Sequence, residues 1–364
     1  MRFVFTRREA LDLADGINSF LFALSDRLVR LGHEVFLITP SRTSEERVSE
    51  LFAASKYSAL FSLSADPTPS HLEMVALWRH TGVALVKDLA PDVTILNGGL
   101  PFRIGNRSCI VVHDLERRWG YGNRARRAYK GFAYRRADRI VVTCSELRTA
   151  VAEEIHFPPR QIDVIPTCID VESYSGEPLA WRDPAIVHLG MPRYKNPVAT
   201  LRMFAALNCR AELYITGRPT PEVLEFVAAM PRAKRASVHL VGILAATDLR
   251  RLLGRARVLS VPSEYHVPVA SPSALEGLAS GTPVLGSDGI SRDLLEPGVT
   301  GARMLPRYPE SAATAVERML DDDELWSLLS ANALTRSMRF GSSIVARRYL
   351  ELGESLGAQN ELSA

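Results

Sequence analysis

Residues 262–283, PSEYHVPVASPSALEGLASGTP, carry the strongest hint of chemistry in the chain. An apolar run ends near Val261, a polar loop follows, and a helix begins around Ser271 to Ser273. Ser271 and Ser273 are residues of the kind that cap a helix, and Pro272 fits a first turn. The open backbone N–H groups at such an end suit a phosphate. Glu276 falls one turn further on, where a carboxylate accepts two hydrogen bonds from a ribose diol. The same residues also make an ordinary capped strand-loop-helix connection, so the segment alone leaves both readings open. Its functional reading is a site for an anionic, nucleotide-like ligand.

Two other constellations invite chemistry. Asp321-Asp322-Asp323 resembles a metal-binding acidic triplet, but it lies at a helix boundary, where acids cap and favour the helix N-terminus; no metal is expected. Residues 117–139 gather nine cations (Arg117, Arg118, Arg124, Arg126, Arg127, Lys130, Arg135, Arg136 and Arg139) against the single acid Asp138, interleaved with Trp119, Tyr121, Tyr129, Phe132 and Tyr134. Such a segment lies on anionic lipid, holds an anionic acceptor, or is a solvated helix face. No recognition motif for nucleic acid accompanies it.

Elements that position these residues follow from periodicity. Continuous apolar runs at residues 2–6, 34–39, 92–97, 109–114, 139–144 and 162–167 read as parallel strands buried on both faces. Helical spacing separates most of them, as in Ile17, Leu21, Leu24, Leu28 and Leu31, which Gly32 terminates. Residues 166–184 hold three prolines and no periodicity, and read as a linker. A second series of strands then runs at 185–190, 211–217, 237–242, 258–263 and 283–287, and beyond Pro309 only helices are expected. Three of the later strands end in glycine shortly before a helix, the place where α/β sheets bind ligands. The expected fold is α/β, two Rossmann-like domains facing a cleft: residues 1–170, residues 171–340, and a helix over 341–364 returning to the first domain.

With 364 residues, 46% hydrophobic and 23% charged, each half is long enough for a core of its own. A net charge of +3 excludes a whole-chain argument for nucleic acid. Cys109, Cys144, Cys168 and Cys209 form no CxxC pair, which argues against zinc and a disulfide framework. The first residues lack the apolar stretch of a signal peptide and no run of 18 apolar residues occurs, so a cytoplasmic protein is expected, with peripheral contact at the inner face of a membrane left open as one reading of residues 117–139.

Eight segments, in order along nearly the whole chain, resemble glycosyltransferase family 4, retaining enzymes of the two-Rossmann-domain GT-B fold. They are LVRLGHEV at 28–35, the strand-end VVHD at 111–114, ADRIVVTCS at 137–145, VIPTCID at 164–170, the strand and KN at 188–196, residues 262–287, GISRDLLEPGVTG at 289–301, and LDDDELW at 320–326.

The resemblance implies roles residue by residue. Lys195 stands at the position of a lysine that neutralises the departing diphosphate. The matching arginine position is Met191, so Arg193, two residues on, is the substitute. Glu276 matches the family's ribose-binding glutamate. The glutamate expected eight residues earlier is Pro268, leaving His266 or Glu264 to meet the donor sugar. His113 matches a histidine near the reacting bond, where a neutral imidazole hydrogen-bonds a hydroxyl or the transition state. Gly16 matches a glycine of the first loop, with Asp15 and Asn18 toward the acceptor. Gly217 and Gly242 lie beneath the base, met by the backbone at Ile243 and Leu244, while Ser271, Ser273, Ala274 and Leu275 complete the donor site. The reaction implied is transfer of a hexose-type sugar, with retention and without metal or other cofactor, from a UDP- or GDP-sugar to a hydroxyl acceptor. The rivals are a sugar-nucleotide epimerase on the same fold, for which no pair of acid/base carboxylates stands out, and a non-catalytic sugar-nucleotide-binding subunit.

Overall fold

The computed structural model describes the chain except residues 14, 53–54, 101, 116–123 and 362–364; for residues 124–127 and 359–361 it describes the backbone only. The chain divides into two compact units, Met1–Ile169 with Ser342–Ala364, and Asp170–Gly341.

In the first unit seven strands, β1 (Arg2–Arg7), β2 (Glu34–Thr39), β3 (Ala59–Ser62), β4 (Val93–Asn97), β5 (Ser108–Val112), β6 (Arg139–Val142) and β7 (Ile162–Val164), form one sheet in the order β3-β2-β1-β4-β5-β6-β7. All pairs are parallel. Every residue of β4 and β5 is buried, which is why these strands are unbroken apolar runs. β3 is not legible in the sequence: ALFS holds no β-branched residue and is only half-buried. The amphipathic helix Gly16–Arg30 buries Phe20, Leu21, Leu24 and Leu28 on the sheet. Ser342–Glu361 belongs to this unit too: Val345, Ala346, Tyr349, Leu352 and Leu356 join the core formed by Phe3, Phe5, Leu21 and Leu24. The long helical pattern over 70–89 contains a π-helical turn, Trp78–Gly82. Gly82 permits it: a Cβ there would sit 2.3 Å from the Trp78 ring, which folds onto its own helix.

The second unit holds β8 (Asp183–His188), β9 (Glu212–Thr216), β10 (Val238–Gly242), β11 (Ala256–Val261), β12 (Val284–Gly286) and β13 (Gly301–Arg303), in the order β10-β9-β8-β11-β12-β13, again all parallel. Of the segment read as a linker, residues 166–169 belong to the first unit and the rest, from Asp170, packs into this one. Its Arg182 is buried and donates to the carbonyls of Glu177, Leu253, Ala256 and Ser280 and to Thr282 Oγ1. Burial pushes the guanidinium down to about 10, opposed by Glu177, so it stays charged at neutral pH. The cation sits at the C-terminal end of the helix Pro272–Ala279, where the carbonyl dipoles favour it.

In each sheet the strand order reverses once. In the first the switch falls between β1 and β4; in the second, between β8 and β11. Loops leaving the carboxyl ends of those strands diverge and open a crevice, the usual ligand position in such sheets.

Candidate functional site

At the switch point of the second sheet, the loop after β8 meets the loop after β11. Gly190 N–H donates to Thr216 Oγ1 (3.1 Å), and its carbonyl faces His188 Nε2 at 2.9 Å. His188 must therefore carry its proton on Nε2, which leaves Nδ1 to accept from Thr200 Oγ1 (2.9 Å); Thr200 in turn meets Ser260 Oγ at 2.8 Å. Burial, then the charge of Lys195, pushes this imidazole down to about 3, so it is a neutral brace beneath the loop. Three further bonds zip the loops together. Glu264 N–H donates to the Tyr194 carbonyl (2.9 Å), Asn196 Nδ2 donates to Glu264 Oε1 (2.6 Å), and Lys195 Nζ donates to Ser273 Oγ (2.6 Å).

Ser273 is the second residue of the helix Pro272–Ala279, capped by Ser271, whose Oγ accepts from Ala274 N–H. The expected cap is in place, and the Lys195 ammonium sits at the helix's positive end. Glu276 lies one turn in. Tyr174 O–H donates to its Oε1 (3.3 Å), and the Arg250 guanidinium lies over the Tyr174 ring, 5.3 Å from its centre. Burial pushes the Glu276 carboxyl up, against the opposing pull of Lys195, Tyr174 and Arg250. Burial pushes the Lys195 ammonium down, and Glu276 opposes that. Each charge thus offsets part of the burial that disfavours the other. Tyr174 and Arg250 escaped the sequence reading: Tyr174 lies in the aperiodic stretch, and Arg250 reads as one more cation on the helix Ala246–Arg255.

Met191 is a core residue packed beside Gly217, where an added Cβ would meet it at 3.2 Å. A side chain that points inward there leaves no room for a guanidinium. Arg193 is exposed on the short turn Arg193–Lys195 and has no partner among the described residues. Arg218, also exposed, follows Gly217 directly and so stands beside Met191, with no local motif to mark it in the sequence. Gly217 and Gly242 both take positive φ, +99° and +71°, and Gly217 N–H donates to the Gly242 carbonyl (2.6 Å). Beyond Gly242, Ile243 is 67% exposed, an apolar surface at the rim of the sheet. Ala274 and Leu275 are fully buried, and their N–H groups are spent on Ser271 Oγ and the Ser271 carbonyl, so the donor contact expected of them is not open. Pro268 sits between buried Val267 and Val269, the latter bridged to Ile290, and His266 is exposed. Glu264, the other replacement for a missing carboxylate, is occupied by Asn196.

At the switch point of the first sheet a pocket of about 540 Å³ opens over the ends of β1, β4 and β5. Arg7, Arg8, Glu9, Asn97, His113 and Asp114 line it, with His71, Met74 and Trp78 on one wall and Tyr129, Lys130 and Tyr134 on another. His113 Nε2 lies 2.8 Å from Asn97 Oδ1, and Asn97 Nδ2 donates to the Thr6 carbonyl (3.0 Å). Burial, then Arg7, pushes the His113 imidazole down to about 3. Asp15 and Asn18 serve the loop instead. Asp15 caps the helix Gly16–Arg30, accepting from Ile17 and Asn18 N–H, and pairs with Arg7 at 3.0 Å. Asn18 is fully buried; it donates to the Ala10 and Leu13 carbonyls and accepts from Arg7 Nε. An acceptor contact at Asn18, expected from the sequence, is incompatible with that burial, whereas Gly16 opens the helix as the loop requires.

Of the basic segment, Arg117, Arg118, Trp119 and Tyr121 lie outside the described residues, and so do the side chains of Arg124, Arg126 and Arg127. Arg135 donates to the Ile155 and His156 carbonyls, Arg139 pairs with Asp163, and Arg136 lies over Phe132. In the acidic triplet Asp322 caps Asp323–Ser337 and Asp323 pairs with Arg257 at 2.8 Å. Among the described residues no group of three or more His, Cys, Asp or Glu is arranged to hold a metal ion, and no helix is long and apolar enough to cross a membrane.

Comparison with known proteins gives this geometry a context. Residues 14–173 match the model of Glycosyltransferase Family 4, and residues 183–322 that of Glycosyl transferases group 1. A curated relative, the D-inositol 3-phosphate glycosyltransferase of Thermobispora bispora, is 27% identical over 243 residues, covering 59% of this chain and 55% of the relative. The match thus spans about half the length of that relative. Among solved structures, sucrose-phosphate synthase from Thermosynechococcus elongatus superposes with a TM-score of 0.77 at 17% identity, over 98% of this chain and 99% of the other. Anabaena HepE in complex with UDP superposes at 0.76 and 14% identity, over 98% and 100%. A glycosyltransferase from Rickettsia africae gives 0.77 at 13% identity, over 98% of both chains. At these identities the structural likeness speaks for the fold, and the fold is that of the GT-B glycosyltransferases.

Proposed function

This chain belongs to glycosyltransferase family 4, and we propose that it transfers a hexose-type sugar, with retention and without a metal, from a nucleoside diphosphate sugar to a hydroxyl acceptor. One observation carries the reading. Lys195 Nζ rests on Ser273 Oγ at the N-terminus of the Pro272–Ala279 helix, with Glu276 one turn behind. An ammonium and a helix N-terminus on one spot offer a diphosphate the positive field it needs as its bond to the sugar breaks. The carboxylate behind them accepts the two hydroxyls of a ribose. Arg193, and equally Arg218, add exposed cations around the same loop, and Ile243 with Leu244 offers the base an apolar edge.

The acceptor takes the pocket of the first unit, where His113 offers a neutral imidazole and Tyr129, Lys130 and Tyr134 make a mixed aromatic and basic wall. That the latter three line the pocket favours the acceptor, over lipid, as the partner of the basic segment; pelleting with anionic vesicles would reverse that preference. HepE binds UDP and UDP-glucose, so a UDP-sugar leads the donors to be tried.

The test is a thermal-shift screen with UDP, GDP, ADP and TDP, followed by turnover of the matching sugars with product anomers read by NMR, with and without EDTA. A nucleotide at a hundred times its Kd stabilises the folded state by about 2.7 kcal/mol. No shift with any nucleotide refutes the donor site, binding without turnover favours the non-catalytic alternative, and an inverted anomer or loss of activity in EDTA refutes the mechanism.

A further inference from the structure

We propose that Asn97 is a positioning residue for His113: it locks the imidazole in its Nε2–H tautomer, so that Nδ1 is left to accept a hydrogen bond from a hydroxyl of the bound substrate. The second half of that statement rests on the glycosyl-transfer reading above; the first half does not.

Asn97 ends β4, is almost wholly buried, and its Nδ2 donates to the Thr6 carbonyl on the neighbouring strand β1 at 3.0 Å. Turning the amide over would set one carbonyl oxygen against another, so its orientation is determined. Oδ1 then faces His113 Nε2 at 2.8 Å. An amide oxygen has no hydrogen to give, so Nε2 must carry the proton. Phe20 packs edge-on against the ring, with centres 5.5 Å apart, and limits its rotation. Nδ1 has no partner among the described residues, and the side chain lines the pocket.

The charged and titratable groups around the pocket leave this state intact. Arg7 from β1 is the cation felt by the ring, and it is itself paired with Glu9 and Asp15. Arg8, His71, Asp114, Tyr129, Lys130 and Tyr134 line the remaining walls. Burial and Arg7 both disfavour the imidazolium, so the lone pair on Nδ1 persists through the neutral range. A ring that accepts and cannot donate selects what it meets. It favours an O–H or N–H group and rejects an anionic oxygen, so it suits a sugar hydroxyl and disfavours a carboxylate or phosphate at that point.

The test uses the full chain with ¹⁵N-labelled histidine and long-range ¹H–¹⁵N correlation, the His113 signals being assigned by their loss in His113→Gln. The expected spectrum shows a protonated Nε2 and an unprotonated Nδ1 at pH 7, unchanged down to about pH 5. In Asn97→Asp a carboxylate replaces the amide, and the His113 signals should titrate at higher pH. In Asn97→Leu the tautomer should become mixed. An Nδ1–H tautomer in the unaltered chain, or variants whose His113 spectra match it, would overturn the positioning role. Those spectra need no substrate, so they stand apart from the turnover screen. With the sugar nucleotide that screen identifies, Asn97→Leu is expected to lower kcat roughly tenfold, the worth of one hydrogen bond, while the KM for that nucleotide sugar changes little. An unchanged kcat would refute the role of Nδ1 toward the substrate and leave the tautomer assignment to the spectra.

Discussion

Replacing Glu276 with glutamine should make the ligand-free protein more stable and its donor binding weaker. Glutamine keeps the shape and an acceptor for Tyr174 O–H, so folding is spared the cavity that alanine would leave. The carboxyl is raised in the folded state, chiefly by burial. The folded chain therefore holds this proton more tightly than the unfolded one. The resulting penalty is absent at low pH and grows as pH rises above the unfolded carboxylate range. An uncharged side chain removes it, so the melting temperature at pH 7 rises and the gain fades toward pH 4. Lys195 loses a compensating charge in the exchange, which limits the gain without reversing it. Donor binding moves the other way. Two charge-assisted hydrogen bonds to a ribose, at about 1.5–3 kcal/mol each, become neutral ones at about 0.5–1.5. The loss is about 2–3 kcal/mol, or roughly 30- to 150-fold in Kd for the nucleotide. Calorimetric titration with the nucleotide found by the screen, beside melting curves at pH 7 and pH 4, reads both effects. Affinity within threefold of the unaltered protein would refute the ribose role, and a lower melting temperature at pH 7 would refute the account of the buried charge.

Other expectations concern single residues. Lys195→Met should lower the single-turnover rate by roughly 10²- to 10³-fold, the usual worth of one donor aimed at developing charge; a rate within threefold would contradict its leaving-group role. Arg182→Met strands the carbonyls of Leu253, Ala256 and Ser280, and should cost about 3–5 kcal/mol in urea unfolding; a loss under 1 kcal/mol would show that water replaces the guanidinium. His113 and His188 both fall to about 3 in the folded chain, below their unfolded value near 6.5. Their contribution is complete above about pH 6.5 and is lost as pH falls toward 3, by about 1.4 kcal/mol per pH unit for each histidine. Glu276 acts in the opposite sense, but as one group against two. Urea midpoints that stay level between pH 7 and pH 5 would show that these imidazoles are not buried as described.

Much of the molecule can be read from residue order. Buried parallel strands must be continuous apolar runs, so β1, β2, β4, β5, β6, β8, β9 and β11 stand out, and so does the capped helix at Ser271, because capping depends on residues three apart. β3 (ALFS) and β13 (GAR) do not, since neither contains a β-branched residue. Lys195, Glu276 and His113 are legible as candidates because each sits in a local phrase with a recognisable neighbour. What escaped is whatever depends on contact between distant segments. Tyr174 reaches Glu276 across 102 residues of chain, and Asn97 reaches His113 from a different strand. Met191 turns inward because Gly217 makes space for it, and Asn18 is claimed by its own loop before any ligand can meet it. A spacing along the chain specifies which side chains share a face. Whether a polar atom on that face is spent on the protein or left for a ligand depends on partners that folding alone brings within hydrogen-bond reach.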